Sequence, residues 1–409
     1  MKPDNGNCSK INMGELNQSW VKKHPKLTGL IITALLLVIL LLIIDKLIPI
    51  FQADKKPIPP RLTNRAIVLR ENHPGLDIII DPENYIKKTD GLEYKDFPFR
   101  IDNNGFLLPH NIHVDPEHII VFMGGSSVES MYVDENLRFP RLTELELEDN
   151  LGETVNVYNA GASGNHALHS VNLLLNKIVP LKPDIVVISH AINDYVSLSY
   201  DHTYWVENSN RSIIFDINDY LPPTPNYTFF WHLRGLVRTI YPNIYQSIYN
   251  ITHKIANPTT PQADIDEWQD KRQEVVSRNI DNMKQQFTST LNTLLDICIN
   301  YNITPVLMTQ ANRFKVEPDS VLLDWMDKTL KAGITYHEFK TEYDSFNYIT
   351  REIAKMKDIV LIDLDKSIPK ENKYIYDSVH YNDNGSILVS GIISKTLEEL
   401  MTQQKYLTK

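Results

Sequence analysis

The chain has 409 residues, of which 42% are hydrophobic and 22% are charged. This composition is typical of globular proteins and is sufficient for one large domain or two modest ones. The net charge is −10 at pH 7, and no basic segment is long enough to indicate nucleic acid as a partner. The two cysteines, Cys8 and Cys298, are expected on opposite sides of a membrane segment, which argues against a disulfide framework.

The N-terminal part of the sequence predicts a membrane anchor. Residues 1–26 form a polar tail, and residues 27–44 (LTGLIITALLLVILLLII) carry no charged side chain. A run of this length spans a bilayer as a helix, and no convincing signal-peptide cleavage site follows it. We therefore predict an uncleaved transmembrane helix at 27–49, with the lipid bilayer as a partner. The lysines just before the run favour a cytoplasmic tail and place the rest of the chain on the extracytoplasmic, periplasmic side.

A short irregular region follows the predicted anchor. Residues 50–65 contain three prolines and are interpreted as a linker that holds the next domain off the membrane. Within the irregular stretch from 66 to 115, the segment FRIDNNGF contains Asn-Asn-Gly. That tripeptide predicts a tight turn between two short strands.

From residue 118 onward, apolar segments of strand length alternate with segments of helical spacing. In the first predicted helix, Leu142, Leu145 and Leu147 have helical spacing and Gly152 ends it. Because most of the strands are apolar throughout, we predict a parallel sheet covered by helices on both faces. We assign residues 66–402 to this α/β domain and 403–409 to a C-terminal tail. The predicted strands are HIIVFM, TVNVY, PDIVVIS, ITPVLMT and DIVLID; the predicted helices are FPRLTELELEDNLG, NHALHSVNLLLNKI, RNIDNMKQQFTSTLNTLLDICINY, YDSFNYITREIAKM and NGSILVSGIISKTLEELM.

One long segment, residues 195–266, interrupts the alternation. It is rich in Tyr, Trp, Phe and Pro, and a structureless segment of this length inside a compact core would be unusual. We interpret it as an insertion that caps the site. Two other interpretations stay open: a peripheral subdomain without contact to substrate, and an aromatic stretch at 229–233 that lies against the membrane surface.

Polar residues with complementary chemistry follow the predicted strands, where sites of parallel α/β sheets form. A serine hydroxyl becomes a nucleophile when a base removes its proton, and Ser126, after the first strand, is the candidate. His380 is the candidate base, and Asp377, three residues earlier, can fix its tautomer and stabilise its positive charge. The backbone N–H groups of Ser126 and Gly164 and the Asn193 amide are candidate donors to a tetrahedral oxyanion.

In these four motifs the sequence resembles the SGNH/GDSL hydrolase superfamily, in particular a membrane-anchored branch from bacterial envelope and polysaccharide contexts. The resemblance spans about residues 99–400. The matching segments are GGSSVES around Ser126, NAGASGN with Gly164 or its competitor Gly161, AIND around Asn193, and DSVH with Asp377 and His380. Gly125 stands where the first motif usually has Asp, and Ala191 where the third usually has Gly.

The resemblance implies a three-layer α/β/α, flavodoxin-like SGNH hydrolase fold, here preceded by one transmembrane helix. It also implies an esterase that acts through an acyl-serine intermediate on carboxylic esters, with O-acetyl groups of a glycan as the expected substrate. A polysaccharide or peptidoglycan O-acyltransferase would use the same residues. A third reading is a non-catalytic envelope protein that binds glycan or serves as a scaffold, and a fourth is a lipase at the bilayer.

The same residues also have simpler interpretations. Ser126 and Ser127 can each cap a helix, Asn193 can be a turn residue, and Asp194 is interpreted as structural. The pairs His166/His169 and His110/His113 lack the spacing and additional ligands of a metal site. The glycines match no nucleotide-binding fingerprint. We therefore expect neither a metal nor another cofactor.

Overall fold

The computed structural model divides the chain into two compact units. One comprises Met1–Asn64 with Asp216–Pro258, and the other comprises Arg65–Phe215 with Thr259–Lys409. The polar tail up to residue 21, the linker from residue 53, and the insertion from 217 to 266 lie outside the described residues. The structure describes residues 22–52, 65–206, 211–216, 278–330 and 333–408.

The second unit carries the alternation of strands and helices. The strands are β1 Arg65–Ile67, β2 Asp77–Ile80, β3 Phe97–Arg100, β4 His118–Gly124, β5 Val155–Asn159, β6 Ile185–Ser189, β7 Ile214–Asp216, β8 Thr304–Met308 and β9 Val360–Ile362. The α-helices, beginning with α1 in the first unit, are α1 Pro25–Gln52, α2 Glu83–Ile86, α3 Ser126–Glu129, α4 Phe139–Leu151, α5 Ala167–Leu173, α6 Ile192–Asp201, α7 Ile280–Asn300, α8 Ser320–Thr329, α9 Tyr336–Lys357, α10 Leu364–Ser367 and α11 Asp383–Thr408.

The five predicted strands form one sheet in the order β5-β4-β6-β8-β9. Every neighbouring pair is parallel, so the prediction of an α/β fold with a parallel sheet is confirmed. The register aligns the strand ends: Gly124 at the end of β4 is opposite Ser189 at the end of β6. Residues that follow these two strands therefore emerge at the same edge of the sheet.

Alternate side chains of each strand enter two separate hydrophobic cores, as a sheet covered on both faces requires. In β4, Val121 and Met123 belong to one core, whereas Ile120 and Phe122 belong to the other. Helices α5, α6, α7 and α9 contribute to the first core, and α4 and α11 contribute to the second. The unit is thus a three-layer α/β/α arrangement around a central sheet.

In helix α4, the set of buried side chains differs from what the sequence pattern suggests. It ends at Gly152, which adopts the left-handed conformation with φ 66°, as predicted. Leu147 is fully buried, but Leu145 is 42% exposed, so the helical spacing of the leucines does not place them all in the core. The helix instead buries Glu144, whose carboxylate accepts hydrogen bonds from the backbone N–H groups of Asn111 and Val157.

Three predicted boundaries also change. Helix α6 continues through the first residues assigned to the insertion, because Tyr195 is fully buried and packs its ring against Phe339 and Phe346. Helix α11 continues to Thr408, so most of the assigned C-terminal tail is helical. Helix α9 begins at Tyr336, earlier than predicted, behind a capping box formed by Thr335 and Glu338.

The region before β4 contains small antiparallel elements. Strands β2 and β3 pair with each other, and the predicted turn in FRIDNNGF is bracketed by a bridge between Ile101 and Leu107. Gly105 in this turn has φ 82°, a conformation that favours glycine. The Asp102 carboxylate accepts backbone hydrogen bonds from Asn104 and Phe106, which closes the turn.

Helix α1 contains the apolar run of the N-terminal region, and its described leucines include Leu30 and Leu36, which are 68% and 61% exposed. Over the part of the chain that the structure describes, no helix is long and apolar enough to cross a membrane. The transmembrane helix at 27–49 therefore stays a prediction.

The two leucines of α4 provide a direct test of the packing. We expect Leu147→Ala to lower the free energy of unfolding by about 2–5 kcal/mol, since it leaves a cavity in a closed core. Leu145→Ala is the matched control and should change it by about 0.5 kcal/mol or less, because that side chain is largely exposed. Urea unfolding of the full chain, followed by circular dichroism, measures both. Equal losses for the two variants would contradict the observed helix orientation.

Candidate active site

The nucleophile candidate lies at a sharp turn between β4 and α3. Strand β4 ends at Gly124, and α3 begins at Ser126. Ser126 is partly exposed, whereas Ser127 is only 4% exposed. The Ser127 hydroxyl accepts a hydrogen bond of 3.1 Å from the Gln310 amide. Ser126 is thus the accessible serine of the pair, and Ser127 belongs to the supporting structure.

His380 and Asp377 reach Ser126 from the loop before α11. The His380 Nε2 atom lies 2.7 Å from the Ser126 Oγ atom, and Nδ1 lies 2.6 Å from Asp377 Oδ2. The same carboxylate oxygen accepts a hydrogen bond of 2.8 Å from the Tyr85 hydroxyl. The other, Oδ1, accepts from the backbone N–H groups of Val379 and His380, each at 2.9 Å. Four donors therefore fix this carboxylate.

Asp377 and His380 each favour the charged form of the other. Burial would raise the pKa of Asp377, but the adjacent His380 and the surrounding donors outweigh it and lower that pKa. Burial likewise opposes protonation of His380, yet the Asp377 carboxylate outweighs it, and the pKa of His380 is raised above its usual value. An imidazole in this environment accepts a proton from a serine hydroxyl more readily than an isolated one.

The loop after β5 carries the two glycines that the sequence left in competition. The Gly161 N–H donates to the Asn159 side chain at 2.9 Å, so this N–H is already used. A Cβ atom at Gly161 would lie 2.4 Å from the Glu129 backbone nitrogen, which explains the glycine by close packing against α3. Gly164 is partly exposed and has φ 76°. Because the Gly161 N–H is already used, Gly164 stays the better candidate oxyanion donor of the two.

The side-chain amide of Asn193 lies next to the backbone of Gly125, the residue immediately before Ser126. A Cβ atom at Gly125 would lie 2.3 Å from the Asn193 Nδ2 atom. The same nitrogen donates to the Asn165 carbonyl at 3.0 Å, which holds the amide in this position. The glycine that replaces the usual Asp in the first motif thus leaves the space that the amide occupies.

The second departure from the family pattern is also compatible with the site. Ala191 has φ −169°, an extended value that any residue adopts, so a glycine is not required there. Next to it, the Ile192 N–H donates to the Gln310 side chain at 2.8 Å. Because Gln310 also bonds Ser127, it connects the start of α3 with the start of α6. The sequence reasoning missed this role, and the position of Gln310 after β8 was the available signal.

Asp194 anchors the third motif from inside the protein. Its carboxylate accepts hydrogen bonds from the Ala167 N–H at 2.7 Å and the Tyr204 hydroxyl at 2.6 Å. Burial raises the pKa of Asp194 to about 7. His190 bonds Ser170 at 2.8 Å, and burial lowers the pKa of His190 to about 3. This cluster is enclosed, which agrees with the structural role expected for Asp194.

The remaining histidines of the sequence analysis have structural surroundings. The rings of His166 and His169 stack with centroids 3.7 Å apart, and burial holds both pKa values well below the usual range. His110 and His113 bond Asp102 and Glu148, at 3.3 and 2.7 Å. Among the described residues, no group of three His, Cys, Asp or Glu side chains is placed to hold a metal ion.

The structure thus brings together Ser126, His380 and Asp377 in one hydrogen-bonded chain, with the Asn193 amide beside Gly125. These groups can support attack of a serine oxygen on an electrophilic carbonyl, with His380 as proton carrier. Four residues of the candidate site are partly exposed to solvent: Ser126, Gly164, Asn193 and His380.

Comparison with known proteins gives neighbours at the level of solved structures. No family model matches the chain, and no curated protein matches it. An α/β hydrolase enzyme from the metagenome of Lake Arreo is 14% identical, covers 69% of this chain and 96% of its own, and has a TM-score of 0.39. The lipase/acylhydrolase from Enterococcus faecalis is 16% identical, with the same coverages and TM-score. The acetylxylan esterase of Geobacillus stearothermophilus is 14% identical over 69% of this chain and 94% of its own, at a TM-score of 0.39.

The contact between Gly125 and Asn193 generates a prediction. Gly125→Ala should push the Asn193 amide away from the oxyanion position and slow acylation of Ser126 by a fluorophosphonate about 100-fold, comparable to loss of one oxyanion donor. Asn193→Ala should cause a similar loss, and the double variant should be no slower than Asn193→Ala alone, because both changes remove the same contact. Stopped-flow or gel-based labelling rates measure this. Multiplicative losses in the double variant would show that Gly125 acts separately.

Proposed function

We propose that this protein is a serine esterase that cleaves carboxylic ester bonds through an acyl-Ser126 intermediate. The observation that carries the proposal is the continuous hydrogen-bonded chain from Ser126 Oγ through both nitrogens of His380 to Asp377. A buried carboxylate with four donors is costly to build. Its alignment with an accessible serine is the arrangement that acyl transfer requires.

The reaction proceeds in two balanced halves. Ser126 Oγ attacks the ester carbonyl while His380 takes its proton, and the oxyanion is stabilised by the Ser126 and Gly164 N–H groups and the Asn193 amide. The carbon–alkoxy bond then breaks, and His380 returns the proton to the leaving alcohol. In the second half, water attacks the acyl group while His380 takes a proton from it, and the acyl–Ser126 bond then breaks as His380 gives that proton to Ser126 Oγ. The products are a carboxylic acid and free enzyme with Asp377 still ionised.

For the substrate, we propose an O-acetyl ester on a glycan. The four-motif resemblance to the envelope-type branch supports this choice. Transfer of the acetyl group to a sugar hydroxyl instead of water would use the same residues and would make the protein an O-acyltransferase.

A turnover assay tests the proposal and separates its alternatives. We expect the full chain to release acetate from an acetylated oligosaccharide and to prefer p-nitrophenyl acetate over the decanoate. Ser126→Ala should reduce kcat/KM by at least about 10⁴-fold, and Glu399→Gln, at an exposed position of α11, should not. Acetyl transfer to an added unacetylated glycan would identify an acyltransferase. A preference for p-nitrophenyl decanoate over the acetate would identify a lipase. No turnover by the folded chain would favour the non-catalytic glycan-binding or scaffold role.

We also propose that the chain is a single-pass membrane protein whose catalytic unit is extracytoplasmic. The support is the charge-free run of residues 27–44 and the exposed leucines of α1, since an apolar surface of this kind needs a cover. In spheroplasts of a bacterial expression host, added protease should degrade the catalytic unit, and alkaline extraction should leave the chain in the membrane fraction. Release by alkali would contradict the anchor, and protection from protease would contradict the topology.

A further inference from the structure

Glu129 is a buried acid in the nucleophile turn that the proposed reaction does not use. It lies three residues after Ser126 in α3 and is only 1% exposed. Burial raises the pKa of Glu129. A carboxylate is retained in such a place at a cost in stability, so its contacts indicate what it does.

The polar partners of the Glu129 carboxylate either belong to the loop that carries Gly164 or bind to that loop. The Ser163 hydroxyl donates to the Glu129 carboxylate. The Ser163 backbone and the Asn72 side chain also act to lower the pKa of Glu129, against the effect of burial, and the Asn72 amide donates to the Gly161 carbonyl at 2.9 Å. Every one of these groups is a donor, which suits an ionised acceptor. Glu129 thus joins the nucleophile turn to the oxyanion loop.

Glu129 also acts electrostatically on the catalytic histidine. Burial opposes protonation of His380, and the negative charges of Asp377 and then Glu129 raise its pKa. The other groups around the pair are Tyr376, whose ring stacks on His380 at 5.7 Å, and Arg138, whose positive charge acts on Glu129. The Tyr85 hydroxyl, on the far side, is bound to Asp377. Of these, Glu129 is the second carboxylate, after Asp377, that favours a protonated His380.

We propose that Glu129 is a positioning residue of the esterase site. It holds Ser163, and through it the N–H of the adjacent Gly164, at the distance from Ser126 that an oxyanion requires. Its charge also makes His380 a stronger base. This inference rests on the proposed function, because both effects are expressed in the acylation of Ser126.

The experiment measures the rate of Ser126 phosphonylation by a fluorophosphonate across pH, with the full chain in detergent. In Glu129→Gln, the pH at which the rate is half-maximal should fall by about half a unit, because a negative charge near His380 is lost. The plateau rate should fall about tenfold as the oxyanion loop loosens. Glu129→Asp keeps the charge but shortens the reach, so its plateau should fall while its midpoint stays. Ser163→Ala should behave like Glu129→Asp, and Glu399→Gln should match the wild type.

The outcomes separate this inference from the proposed function. An unlabelled but folded wild type would overturn the esterase and the inference with it. A labelled wild type with the same midpoint and plateau in Glu129→Gln would overturn the inference alone. If Glu129→Gln does not fold, Ser163→Ala decides: a reduced plateau with an unchanged midpoint supports the role of Glu129, and a wild-type rate overturns it. A purely structural role would lower stability but leave both the midpoint and the plateau rate of every folded variant at the wild-type values.

Discussion

The parallel register of β4 and β6 is the constraint on which the site depends. Because Gly124 and Ser189 are paired at the ends of these strands, the segments that begin with Ser126 and Asn193 leave the sheet side by side. The Asn193 amide then has its place above Gly125, where a side chain would collide with it. A shift of one residue in this register would move the strand side chains to the opposite cores and separate the nucleophile from its amide. The packing of both apolar cores therefore holds the Asn193 amide beside Gly125.

Asp377 and His380 lie near the C-terminal end of the chain, far in sequence from the strands that position Ser126 and Asn193. His380 and Ser126 are 254 residues apart in sequence, and Tyr85 reaches Asp377 across 292 residues. Such contacts are specified by tertiary packing. The side chains of Gln310, Tyr85 and Glu129 connect groups around the candidate site. Gln310 and Glu129 are buried, and Tyr85 is half-buried. Few side chains take part in the proposed reaction, and a larger number of residues hold them in position.

The sequence predicted the strands and their parallel arrangement, and it singled out Ser126, His380 and Asp377, which the structure joins by hydrogen bonds, because these depend on local signals: apolar runs, glycine stops and motifs in a fixed order. The roles of Gly164 and Asn193 as oxyanion donors stay a prediction. It did not predict the orientation of α4. The helical spacing pointed to Leu145, whereas the buried Glu144 carboxylate binds two backbone N–H groups and turns that leucine toward solvent. It also missed Gln310, Tyr85 and Glu129. Their partners are distant in sequence, and periodicity carries no information about which distant donor an acceptor will meet.

The central claim is that Ser126 is an activated nucleophile. The most direct measurement is the intact mass of the full chain after treatment with a fluorophosphonate, with Ser126→Ala and Ser127→Ala treated in parallel. We expect one phosphonyl adduct on the wild type and on Ser127→Ala, and none on Ser126→Ala. A folded wild type without an adduct, or an adduct that disappears only in Ser127→Ala, would contradict it.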